Sequence, residues 1–174
     1  MKRLLLILSV PLLLQSCVVS SKPNMDFAEN LHRHQEGVHI VSVNPPMFLA
    51  KPFIIHALKE DGEKPETIAL IRKIKKVRVM CVKLDSLSDN SAYQRNMAKE
   101  VDKFLRKKNY EEYATIRSKG QKVAIHALQK GDIIRELMIQ TISPTNGEVY
   151  VHLKTELSPD DLSRLINMVE DKAN

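Results

Sequence analysis

A chain of 174 residues is long enough for one domain with a real core, and no repeat or long linker divides it further. Its 27 Lys+Arg against 21 Asp+Glu give a formal charge of +6. The basic clusters Arg72, Lys73, Lys75, Lys76, Arg78 and Arg106, Lys107, Lys108 carry neither aromatic interleaving nor a nucleic-acid motif. Nucleic acid is thereby excluded as a partner, and the clusters read as solvated helix faces and helix C-terminal ends.

The N-terminus carries an address. Met1, Lys2 and Arg3 precede an apolar stretch from Leu4 to Leu14, followed by Gln15, Ser16 and Cys17. The run is too short for a span, since crossing the hydrocarbon takes about 20 residues. A charged start, an apolar middle and a small residue before the cut read as a signal peptide over residues 1–16. Leu14-Gln15-Ser16-Cys17 resembles the lipobox of bacterial lipoproteins, with Gln15 departing from the usual Ala, Ser or Thr. Cys17 is therefore the expected lipidation site, carrying palmitate-type acyl chains that hold the protein to a membrane. A plain secreted protein is the alternative. Residues 17–24 read as a tether and 25–174 as one domain. Val18 stands where an Asp would be expected to retain an enterobacterial lipoprotein at the inner membrane, and the Ser20–Pro23 stretch has no acidic run. Both favour an outer-membrane protein facing the periplasm.

Further along, Met25–Gln35 predicts a short helix closed by Gly37, and Val38–Val43 a β-branched strand ended by Asn44-Pro45-Pro46. A helix follows from Met47, with Pro52 expected to kink or break it, and Phe53–Leu58 fits either type of element. After the Asp61–Pro65 turn, Ile68, Ile71 and Ile74 fall at helical spacing until the strand Val77–Val82. Tyr93, Met97, Val101, Phe104, Leu105 and Lys108 draw one helical stripe.

The last third predicts an antiparallel meander: Val123–Leu128, Ile133–Ile142 and Val149–Leu153, joined by Lys130-Gly131-Asp132 and by Pro144-Thr145-Asn146-Gly147. In its third strand Val149, Val151 and Leu153 alternate with Tyr150, His152 and Lys154, which predicts one buried face and one wet one. Ser158-Pro159-Asp160-Asp161 opens a terminal helix striped by Leu162, Leu165, Ile166 and Val169. The fold class expected is α+β: a mixed, largely antiparallel sheet with amphipathic helices packed on one face.

No chemical motif stands out. The five glycines fall at helix ends or turns and build no phosphate loop, and no hydrolase signature is present. His32 and His34 point about 200° apart on a helix and read as surface residues rather than metal ligands. His56 reads as a satisfied core histidine, and Cys81 as a buried small hydrophobe. No catalytic, cofactor-binding or metal residue is assigned, so the expectation leans away from an enzyme.

Glu36-Gly37-Val38-His39-Ile40-Val41-Ser42-Val43-Asn44-Pro45-Pro46-Met47-Phe48, the strand before Leu84-Asp85-Ser86, and the Lys107-to-Tyr113 junction feeding three strands and a last helix resemble a known family. It is the group of Bacteroidetes lipoproteins classed as domain of unknown function 4252, and the likeness covers nearly all of residues 25–170. The resemblance implies an envelope lipoprotein and carries no catalytic residues across. The expected function is a non-enzymatic binding or interaction module of the cell envelope, with the membrane and an envelope protein as partners. The alternatives are an enzyme assembled from scattered residues such as His39, His126, His152 and Asp132, and a regulatory lipoprotein of an envelope-stress circuit.

Overall fold

The computed structural model describes residues 19–29, 37–85, 91–118, 120–143 and 147–173. Residues 1–18, with Cys17, and residues 30–36, with His32 and His34, lie outside them, as does the Pro144-Thr145-Asn146 part of the predicted turn. In chain order the elements are β1 (Val19–Ser20), β2 (Val38–Val43), α1 (Met47–Glu60), α2 (Pro65–Lys73), β3 (Ile74–Leu84) and α3 (Ser91–Lys107). Then come β4 (Glu111–Ser118), β5 (Gln121–Lys130), β6 (Ile133–Ser143), β7 (Gly147–Leu157) and α4 (Pro159–Ala173). The strands form one sheet in the order β1-β2-β3-β7-β6-β5-β4, and every pairing is antiparallel. The fold is α+β, and the expected meander is present with β4 added at its edge.

The helices do not share one face. Strand register sorts the side chains into two sets, and each set has its own core. On one face Ile40, Met80, Val82, Met138 and Tyr150 pack with Tyr93, Met97, Val101 and Leu105 of α3 and with Phe27. On the other, Ile125, Ala127, Ile134, Leu137 and Leu157 pack with Leu70 of α2 and Leu162 of α4. The face of β7 expected to be wet is the more deeply covered one, with Tyr150 at 0% and His152 at 6% exposure, and only Lys154 stays outside. The reason is that both faces of the central strands carry apolar side chains, so a helix layer on one side alone would leave the other in water.

Several local expectations change as well. Instead of a helix beginning at Met25, a 3-10 turn at Asp26–Ala28 drives Phe27 into the core against Tyr150 and Phe104, with ring centroids 5.1 and 5.6 Å apart. The stretch expected as a tether lies partly on the domain: Val19 and Ser20 pair with Val43 and Ser42, and Asn24 Nδ2 donates to the carbonyls of Val43 and Val79 at 3.1 and 3.2 Å. α1 runs through Pro52 to Glu60, and the Phe48 carbonyl that loses its amide partner lies on the exposed side of the helix, where water can take its place. β3 takes over at Ile74, the last residue of the helical stripe and three positions before the strand was expected to begin. Cys81 is half-buried rather than buried, because the α1 side of the sheet is only partly covered there.

α1 is inverted relative to an ordinary surface helix. Phe48 and Phe53 are 77% and 75% exposed, Leu49 and Ile54 are exposed beside them, and only Met47 is buried. Lys51 turns inward instead, donating from Nζ to the Arg72 carbonyl at 2.9 Å at the end of α2.

Candidate functional site

Across β4, β5, β6, β7 and β3 the register sets Glu112, His126, Met138, His152 and Arg78 in one row on the α3 face. The adjacent row pairs Leu128 with Glu136 and Glu136 with Lys154. One residue from outside the strands joins them. α3 ends with the Asn109 amide bonded to the Arg106 carbonyl and the Tyr110 amide to the Leu105 carbonyl, Asn109 taking a φ of 58°. That is a Schellman motif, in which Asn tolerates the left-handed position and the residue after it folds back onto the helix. Tyr110 accordingly packs on Phe104, ring centroids 5.9 Å apart, and its hydroxyl reaches the sheet.

The centre of the site is one carboxylate oxygen. Glu136 Oε2 accepts from the Tyr110 hydroxyl at 2.7 Å and stands 2.8 Å from His152 Nε2, with Lys154 Nζ 3.9 Å from Oε1. Burial lowers the His152 pKa below the usual histidine value despite the favourable carboxylate beside it, and Arg78 and Lys154 push the same way as burial. At neutral pH the ring is therefore neutral and donates its Nε2 proton to Glu136. Burial alone would raise Glu136, but the hydrogen bonds from Tyr110 and His152 and the nearby positive charge outweigh it and hold the carboxyl below its ordinary range. Burial, and then Glu136, push the Tyr110 hydroxyl far up, so it stays a donor.

A cleft of about 120 Å³ opens over this cluster. Met25, Phe27, Phe104 and Met138 supply its apolar walls, and Arg78, Lys108 and Lys154 its cations. Arg78 was expected on a solvated face. It is instead half-buried, donating to the Asn24 carbonyl at 3.1 Å and facing Asp26 at 3.5 Å, with its Nε unpartnered. Beyond Phe27 and Phe104 the cleft continues into a more open hollow of about 330 Å³ edged by Lys103, Lys107 and Lys108. The inner space suits a few waters or one small polar group, well below the ~300–1,000 Å³ of an ordinary metabolite pocket. His152 has the arrangement of a base oriented by a carboxylate, yet among the described residues no Ser, Thr or Cys lines the cleft to serve as nucleophile.

The four scattered residues named from sequence do not converge. His152 lies in the cleft, and His126 sits two strands away on the same face behind Met138, half-buried and with its pKa lowered by burial. His39 is exposed on β2, 3.3 Å from Asp85, and Asp132 sits in the β5–β6 turn. His56 is exposed on α1 and paired with Glu60 at 3.3 Å, not in the core, because α1 presents that face outward. Asp160 and Asp161 open α4 as expected: Asp161 donates its amide to Ser158 Oγ at 3.1 Å and accepts the Ser158 amide at 2.8 Å, a reciprocal cap. Among the described residues no three His, Cys, Asp or Glu stand close enough to share a metal ion.

Sequence reasoning missed Tyr110, Glu136 and Arg78. Signals existed for the first two: Asn109 just past an amphipathic helix, and a lone carboxylate inside the largely apolar run Ile133–Ile142; none singled out Arg78.

No curated protein and no solved structure matches the chain. A family model described as Domain of unknown function (DUF4252) matches residues 32–165, which include β2 through the start of α4 and nearly all of the cleft's polar residues. The match covers well over half of the sequence, and the chain belongs to the DUF4252 family.

Proposed function

We propose that this protein is an envelope lipoprotein, acylated at Cys17 and held at the outer membrane facing the periplasm, whose domain works as a non-enzymatic interaction module. The observation that carries the reading is the lipobox-like Leu14-Gln15-Ser16-Cys17 string standing two residues ahead of the paired edge strand β1. An anchor there presents the folded domain directly at the bilayer. The cleft supports the module half of the reading, since its central carboxylate, Glu136, is occupied by two internal donors and its volume suits a small polar group rather than a metabolite.

Two measurements test the two halves. Mass spectrometry of the Cys17 peptide from membranes is expected to show acyl chains, and an unmodified thiol ends the anchor. In-cell crosslinking of a C-terminally tagged copy, with Cys17→Ala as the control, is expected to enrich an envelope protein only with the anchored form. Turnover on a panel of envelope substrates, abolished by His152→Gln, would replace the module with an enzyme.

A further inference from the structure

The apolar side chains that α1 turns outward serve no core, and their position says what covers them. Between Met47 and Ala57 the only permanently charged side chain is Lys51, and it is spent on the Arg72 carbonyl. Phe48, Leu49, Pro52, Phe53 and Ala57 follow one another at the spacing of a single helix face, and all are exposed. Acidic residues appear only at the far end, at Glu60 and Asp61. Ordinary surface helices put this stripe inside and lysines out.

The chain enters and leaves at the same corner. Val19 pairs with Val43, so the N-terminal segment arrives at the end of β2 from which α1 departs. Cys17 is at most about 7 Å of extended chain before Val19, and Met47 at most about 14 Å after Val43. Val19 and Val41, 54% and 48% exposed, share the sheet face opposite α3 and extend the apolar surface towards that corner. Area alone does not choose the occupant: with about 200 Å² for each phenylalanine, the α1 stripe comes to roughly 500 Å², close to the apolar share of a ~800 Å² face, so it is the closeness of the stripe to Cys17 that points to lipid.

We infer that α1 is a membrane-contact element, laying Phe48, Leu49 and Phe53 into the headgroup region of the bilayer that holds Cys17. The inference rests on the anchored reading and adds a second contact to it, with the acidic end of α1 lifted towards water.

The chain has no tryptophan, so a single one introduced by substitution reports alone. The full chain isolated from membranes is reconstituted in vesicles of phosphatidylethanolamine and phosphatidylglycerol, with and without brominated acyl chains. Phe48→Trp and Phe53→Trp are expected to be quenched at least threefold by the brominated lipid. Arg117→Trp, exposed on β4 at the opposite edge, is expected to be unaffected. Co-flotation with an acylated Cys17 but no quenching at 48 or 53 overturns the inference and leaves the anchor standing. Quenching with an unmodified Cys17 keeps the inference and removes the anchor. A chain that does not float overturns both. Blue-shifted emission at 48 and 53 without lipid quenching, accompanied by crosslinks between copies or to residues 1–16, also overturns it and names the other occupant.

Discussion

At the scale of single residues, the Tyr110–Glu136–His152 cluster is a half-buried carboxylate held by two neutral donors. Tyr110→Phe removes one of them and leaves Glu136 under-satisfied, so urea unfolding at pH 7 is expected to show a loss of about 1–3 kcal/mol. The pH dependence has a definite sign. The folded His152 resists protonation while the unfolded chain takes up a proton near pH 6.5, so stability falls as pH drops from there towards the folded value. Glu136, depressed in the fold, adds a loss at lower pH as it falls through its folded pKa. His152→Gln keeps a donor but not the titration, and is expected to flatten the stability curve just below about pH 6.5. Glu148 runs the other way. It is buried against the Tyr150 hydroxyl, with no Lys or Arg at ion-pair distance among the described residues, and burial raises its pKa. Glu148→Gln is therefore expected to stabilise the fold at pH 7 by about 1 kcal/mol, a gain that shrinks as the pH falls and the native carboxyl becomes protonated.

At the scale of elements, two turn glycines should respond differently to the same change. Gly147 opens β7 at φ 82°, and a Cβ there would overlap the Val82 carbonyl oxygen and lie 3.2 Å from Lys83 Cα. Gly131 has a similar φ of 61° but open space around it. Gly131→Ala is expected to cost about 1 kcal/mol from backbone conformation alone. Gly147→Ala should cost at least about 2 kcal/mol, because strands β3 and β7 must also move apart. Equal midpoints in urea for the two variants would contradict this account. The start of α4 is held by the reciprocal bonds between Ser158 and Asp161 and by Lys73 Nζ reaching Asp161 from α2. Ser158→Ala removes one cap and is expected to cost about 1 kcal/mol.

At the scale of the whole molecule, stability comes from two cores on opposite faces of one sheet, and α1 belongs to neither. The double substitution Phe48→Ser and Phe53→Ser removes side chains that are already in water, so the unfolding free energy in urea should stay within about 0.5 kcal/mol of the parent. The same change should lower the tendency of detergent-free protein to associate, measured by light scattering, since an exposed apolar patch is removed. A large loss of stability would mean that α1 packs more deeply than its exposures indicate.

Local rules carried much of the description. The hairpin strands, the stripe of α3 and the cap of α4 are visible in the sequence because their causes lie within a few residues: alternation, a four-residue spacing, Ser158 ahead of two acids. β4 was not visible, since Glu111–Ser118 is largely polar and owes its strand form to pairing with β5 at the sheet's edge. The α+β class followed from the order of elements, whereas the second helix layer did not. Whether Tyr150 and His152 face water or a helix depends on where α3 returns, and α3 is some fifty residues away in the chain. The cleft was hidden for the same reason. Tyr110 comes from the α3–β4 junction and Glu136, His152 and Arg78 from three separate strands, and only register and the Schellman turn bring them within hydrogen-bond or field distance of one another. By itself the sequence determined the elements whose stabilising contacts are local; the tertiary structure decided burial, because burial depends on what the rest of the chain lays on top.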